Sequence, residues 1–198
     1  MLRDYFNRLA PQWDGLAADD QTSLLREIVA GSGLREGMRV LDVGCGTGVL
    51  TLLLLAAVGK QGSVVGADFA PAMLEQARTK RFGPNAVFIE ADVMSLPFAG
   101  GYFDAVFCNN ALPHFPDIPG ALREMHRVLA EGGCLTVCHT KSRDEVNRMH
   151  RQIGGPVADH LLPPAAELAE ILVRAGFTGV SVTDGADRFV ATGVRPGT

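Results

Sequence analysis

The nonapeptide Val40-Leu41-Asp42-Val43-Gly44-Cys45-Gly46-Thr47-Gly48 constrains this chain more than any other stretch. The run Arg39–Val43 reads as a buried strand carrying one acid, Asp42. Glycines follow at alternate positions, Gly44, Gly46 and Gly48. Glycine enters left-handed backbone conformations at little steric cost, so the chain can turn sharply there and a ligand can lie on the main chain. The apolar stretch from Val49 to Ala57 then begins a helix. A strand, a glycine turn and a helix, with an acid just ahead of the turn, form a cradle for a small molecule.

The same alternation runs through the rest of the chain. Strand-like runs at Ser63–Ala67, Ala86–Glu90, Phe103–Cys108 and Gly133–His139 are interleaved with helical patterns near Pro71–Lys80 and Ile118–Leu129. Near-continuous apolar strands joined through helices predict a parallel sheet covered on both faces. Right-handed, short connections make it doubly wound. A further helix is expected around Pro164–Ala175. Gly179–Asp184 and Arg188–Gly193 flank Gly185-Ala186-Asp187, a hairpin signal that turns the last strand antiparallel. The expected fold is α/β: a Rossmann-like three-layer α/β/α sandwich with a mostly parallel seven-stranded sheet and an antiparallel C-terminal hairpin strand. One domain accounts for 198 residues. Within it, 1–35 form a helical cap on which Tyr5, Phe6, Leu9 and Trp13 share a face. Residues 36–138 form the ligand-binding core, 139–162 an insertion, and 163–198 the last helix and hairpin.

Charge and composition exclude several classes. The net charge is −4 and Lys80-Arg81 is the one adjacent basic pair, which argues against a nucleic-acid partner. The longest apolar run, Val49–Val58, is too short to span a bilayer, and Met1–Arg8 carries no leader-like apolar core. Cys45, Cys108, Cys134 and Cys138 fall in or beside buried strands and turns, the pattern of reduced thiols in a cytoplasmic protein. His139, His150, His160 and Asp159 lack a recognised ligand spacing, so no metal is expected.

Three acids carry the functional argument. Asp42, Asp68 and Asp92 stand at the ends of three successive strands, on the rim where open parallel sheets bind ligands. Carboxylates there suit an ammonium, a ribose diol and an exocyclic amine, and they repel phosphate. The GxGxxG fingerprint of a nicotinamide-dependent oxidoreductase would require glycine where Val49 stands. That enzyme class and a non-catalytic binding module are the alternative readings.

On these motifs the chain resembles the class I S-adenosylmethionine-dependent methyltransferases, in particular the branch that includes the ubiquinone and menaquinone C-methyltransferases. The likeness spans about residues 36–137 and includes Leu122–Leu129 followed by Gly132-Gly133, with Glu131 where the family usually has proline. It implies a methyltransferase acting on a small-molecule acceptor by in-line displacement, with S-adenosylmethionine as cofactor. By resemblance, Gly44, Cys45, Gly46 and Gly48 approach the cofactor. Asp42 orders that turn and reaches the methionine ammonium through water, and Asp68 binds the ribose hydroxyls. Phe69 and Met73 pack near the adenine. Asp92 takes the adenine amine beside the Val93 backbone, and the Asn109 carbonyl accepts from the ammonium.

The acceptor side is less constrained. His114 follows the fourth strand and His139 ends the fifth, so both are candidate catalytic residues on the same rim. By resemblance, Tyr5 lies over the cofactor and 139–162 forms the substrate side. Ser142 and Glu145 make a capping box that starts a helix at Arg143. Val146, Met149 and Ile153 form its apolar stripe, and Arg143, Asn147 and His150 along the edge are candidates for holding a polar acceptor. Gly154-Gly155-Pro156 ends it.

Overall fold

Burial on alternate sides of each strand builds the layers. In the computed structural model, which describes residues 1–16 and 19–197, β1 (Arg39–Val43) turns Val40 to one face and Leu41 and Val43 to the other. β4 (Phe103–Asn109) does the same, with Ala105 and Phe107 against Val106 and Cys108. Strands buried on both faces require a covering layer on each. The helices α2 (Asp19–Gly31) and α3 (Val49–Val58) supply one, packing Leu25, Ile28, Leu50 and Leu54 onto Val40 and Phe107. The other face receives α5 (Ile118–Val128) and α7 (Ala165–Arg174), through Leu122, Met125, Leu168 and Leu172.

The remaining strands are β2 (Ser63–Asp68), β3 (Ala86–Glu90), β5 (Leu129–His139), β6 (Thr178–Asp184) and β7 (Phe189–Val194). Among the described residues they form one seven-stranded sheet in the order β3-β2-β1-β4-β5-β7-β6. The first five strands pair in parallel and β7 runs antiparallel between β5 and β6, as the hairpin signal requires. Strand order reverses between β1 and β4, which opens a crevice at their carboxyl ends. α4 (Pro71–Thr79) follows β2, with proline in its first turn.

Three segments depart from expectation. β5 starts at Leu129 rather than Gly133, because Phe103 pairs with Leu129 while Ala105 pairs with Cys134; a bulge absorbs the intervening residues. The segment expected as a cap holds α1 (Leu2–Leu9) and a 3₁₀ stretch (Ala10–Leu16) that includes Pro11, whereas α2 belongs to the layer covering the sheet. α6 (Arg143–Ile153) begins at the expected capping box: Ser142 Oγ accepts from the Glu145 amide and Glu145 Oε2 accepts from the Ser142 amide. Of the expected apolar stripe, only Val146 is fully buried, however, and Met149 is half-buried. Ile153 is 51% exposed, while Val146, Asn147 and His150 are buried.

Candidate active site

β1 leaves the sheet at Val43 and turns through Gly44 (φ +68°) and Gly46 (φ +54°). The amides of Gly44 and Cys45 donate to the Ala67 carbonyl at 2.8 and 3.1 Å, tying the turn to the end of β2. A Cβ on Gly44 would lie 2.4 Å from the Ala111 Cβ, so only glycine lets the loop after β4 close against this turn. The turn floors a cavity of about 560 Å³. Gly48 serves the fold instead: it caps α3 and packs on Phe82 and Phe88, outside the cavity wall.

Asp42, Asp68 and Asp92 all border this cavity. Asp42 is 1% exposed; its Oδ2 accepts from Thr51 Oγ at 2.7 Å, and its Oδ1 has no protein partner. Burial pushes its pKa up to about 7, the Thr51 bond opposing and the Asp68 charge adding. The Asp68 oxygens each accept one backbone N–H, from Gly46 and Ala70, both at 2.8 Å. Burial raises its pKa and those donors oppose the rise. Each oxygen retains a lone pair for a ligand. Asp92 is exposed, with Oδ1 accepting from the Met94 amide at 2.9 Å. Cys45, Phe69, Met73 and Val93 also border the cavity. Burial holds the Cys45 thiol well above its usual range, so it packs as a neutral group.

The facing wall is aromatic. Phe6 meets Trp13 and Phe69 edge-on, each at 5.9 Å, and His114 at 5.1 Å. Tyr5 packs on Phe6 at 5.3 Å but does not border the cavity; Phe6, one residue on, takes the position expected for it. Asn109 does border the cavity, its Oδ1 accepting from Cys138 Sγ at 3.6 Å. Asn110, missed in the sequence, stands beside it at φ +53°, the one left-handed non-glycine among the described residues. The Asn-Asn pair at a strand end was the available signal, since asparagine tolerates that conformation.

Four of the five histidines gather at this end of the sheet. His114 and His160 both border the cavity, with Nδ1 atoms 3.0 Å apart. His150 lies behind them, its ring 5.0 Å from that of His114 and its Nδ1 bonded to the His160 carbonyl. A carbonyl only accepts, so His150 carries a proton on Nδ1. His139 is not brought to the cavity. It is 2% exposed at the end of β5 and packs edge-on against Phe189 at 6.3 Å, so it has no access to an acceptor. Burial, with histidine neighbours adding, pushes His114 and His139 down to about 3, leaving both neutral near neutral pH.

Arg143, Asn147 and His150 do not touch the cavity either. Asn147 Nδ2 donates to the Leu162 carbonyl at 3.1 Å, and its Oδ1 accepts from the Leu162 amide at 2.7 Å. Arg143 Nε donates to the same carbonyl at 3.2 Å. These polar groups hold the segment 155–162, which brings Pro156 and His160 into the wall. His160 was legible in the sequence only as a metal candidate. Among the described residues, no group of three His, Cys, Asp or Glu side chains is placed to hold a metal.

These features fit a nucleoside sulfonium. Half-buried backbone at Gly44 and Gly46 borders the cavity with Asp42, whose buried Oδ1 has no protein partner, and two more acids follow on the rim, an arrangement that favours cations and hydroxyls over phosphate. Comparison with known proteins agrees. A methyltransferase-domain family model matches residues 40–133. The 2-phytyl-1,4-naphtoquinone methyltransferase of Nostoc sp. (strain PCC 7120) is 30% identical over 91% of each chain. The demethylmenaquinone methyltransferase of Staphylococcus aureus (strain MRSA252) is 42% identical over 57% of this chain, which spans about half (47%) of that protein. A solved SAM-dependent methyltransferase from Aquifex aeolicus superposes with a TM-score of 0.77 at 24% identity, covering 94% of this chain and 98% of that one. With a 2-phytyl-1,4-naphtoquinone methyltransferase matching along nearly its whole length, the chain belongs to the class I S-adenosylmethionine-dependent methyltransferases.

Proposed function

We propose that the protein methylates a small, uncharged acceptor with an apolar ring, of the naphthoquinol class. One observation carries this reading: Phe6, Trp13, Phe69 and Phe115 line the cavity together with His114 and His160, and among the described residues no lysine, arginine or glutamate side chain borders it. Aromatic rings recognise a flat apolar ring by stacking and edge contacts. The names of the naphthoquinone and menaquinone methyltransferase relatives support the same class.

S-adenosylmethionine, when bound, supplies an activated methyl group on a sulfonium that departs as a neutral thioether. Asp68 holds the ribose hydroxyls, Asp92 the adenine amine, and the Gly44–Gly46 backbone with Asp42 and Asn109 the methionine end. Phe6 and Trp13 exclude water from the acceptor, which strengthens polar contacts inside the cavity. Isothermal calorimetry with S-adenosylhomocysteine tests the cofactor half. The unmutated protein should bind it, and Asp68→Ala should weaken binding at least about tenfold, the loss of a charge-assisted pair of bonds. No binding by the folded protein refutes the reading. Labelled methyl transfer to a reduced 2-alkyl-1,4-naphthoquinone, compared with a simple alkyl amine, tests the acceptor; preference for the amine refutes the ring class.

A further inference from the structure

We propose that His160 is the base that takes the acceptor's proton, with His114 as the positioning residue that accepts the His160 Nδ1–H. The inference rests on the methyltransferase reading above and narrows it to acceptors that must lose a proton, as a naphthoquinol does. Two imidazoles whose Nδ1 atoms stand 3.0 Å apart must share one proton between them, one ring donating and the other accepting.

The surroundings decide which ring carries charge when a second proton arrives. His114 is pressed between the Phe6 ring at 5.1 Å and the His150 ring at 5.0 Å. His160 is only partly buried: its burial and the His150 charge lower its pKa and Asp159 opposes them, whereas the deeper burial of His114 pushes that ring down to about 3. The charged state therefore belongs to His160, whose Nδ1–H points to a neutral His114 and whose Nε2 is left for the acceptor. Facing this pair are His150 on α6, His139 deeper on β5, and the uncharged Phe6 on α1. His150 positions His160 through its bond to the His160 carbonyl. In the step itself, the acceptor O–H bond breaks and its electron pair stays on oxygen. The proton becomes the Nε2–H of His160, and the resulting imidazolium donates its Nδ1–H to His114.

Two readouts test this: methyl transfer to a reduced 2-alkyl-1,4-naphthoquinone across pH, and ring-nitrogen NMR of the ligand-free protein. His160→Gln should lower kcat by about 100-fold near neutral pH, at the lower end of general-base contributions, with acceptor KM nearly unchanged. Its rate should climb about tenfold per pH unit as solvent ionises the acceptor instead. His114→Phe should move the acid limb of the wild-type profile, and the His160 NMR midpoint, to lower pH. His114→Asn, which keeps an acceptor near the Nδ1 position, should restore both. If His160→Gln does not fold, the wild-type spectra decide: one hydrogen-bonded Nδ1 proton coupled to both rings supports the pair. A near-wild-type rate and pH profile in His160→Gln, or rings that titrate independently, overturns it. Failure of the unmutated protein to bind S-adenosylhomocysteine would sink the methyltransferase reading instead, and the NMR arm would still decide the pair.

Discussion

Asp42→Asn should stabilise the protein, and the gain should grow with pH. The folded carboxyl is pushed up from 3.8 to about 7 by burial. Between those values the native state holds a proton that the unfolded chain has released, so wild-type stability falls as pH rises through that window. The full difference corresponds to about 4 kcal/mol of cost for the buried charge, at 1.36 kcal/mol per pH unit. Of this, about 2–3 kcal/mol is incurred between about pH 5 and about pH 8. For a chain of this size, about 1 kcal/mol moves Tm by roughly 2–4 °C. The Tm gap between variant and wild type should therefore widen by about 5–10 °C over that range in scanning calorimetry. The asparagine oxygen can still accept from Thr51 Oγ, so the fold keeps its internal bond. Affinity for S-adenosylhomocysteine should move the other way, because the variant has no carboxylate to set against the ligand's ammonium. A Tm gap that stays constant with pH would refute the argument, since it would mean that Asp42 is ionised throughout or that other groups carry the titration.

Gly44→Ala should destabilise the protein by about 2 kcal/mol or more, from a left-handed residue with a Cβ driven into Ala111. Adding Ala111→Gly should recover the clash component but not the backbone component, read from urea midpoints of the two variants. Asn147→Leu leaves the Leu162 amide buried without its partner and should cost about 2 kcal/mol. It should also speed limited proteolysis within 155–162, whereas unchanged cleavage there would mean that Asn147 does not anchor the segment.

The fold and the gathering of the three acids at one cavity were legible because both follow from short-range pattern. Burial on alternate sides of Val40 to Val43 and of Ala105 to Cys108 is written in consecutive residues, and Asp42, Asp68 and Asp92 mark strand ends wherever the strands are found. The helix α6 shows where pattern misleads. Its apolar stripe suggested Met149 and Ile153 as the inner face, yet the inner face carries Asn147 and His150. The sequence alone could not show that the Leu162 backbone arrives there needing a donor and an acceptor.

The histidine pair was illegible for the same physical reason. His114 and His160 lie 46 residues apart and meet only because two independent placements coincide. The 3₁₀ turn at Leu112–His114 leaves the β4 end, and α6 with its Asn147 clamp carries 155–162 back over it. Neither placement is fixed by the βα alternation, so neither appears in the motif that identifies the family. A sheet that fixes its strand ends fixes the acid-lined side of the cavity with them. The wall facing the acids is assembled from α1, the 3₁₀ turn and 155–162, whose sequences can change without disturbing a strand. The contacts of His114 with Phe6 and with His160 are therefore long-range facts of the folded molecule, which no local pattern records.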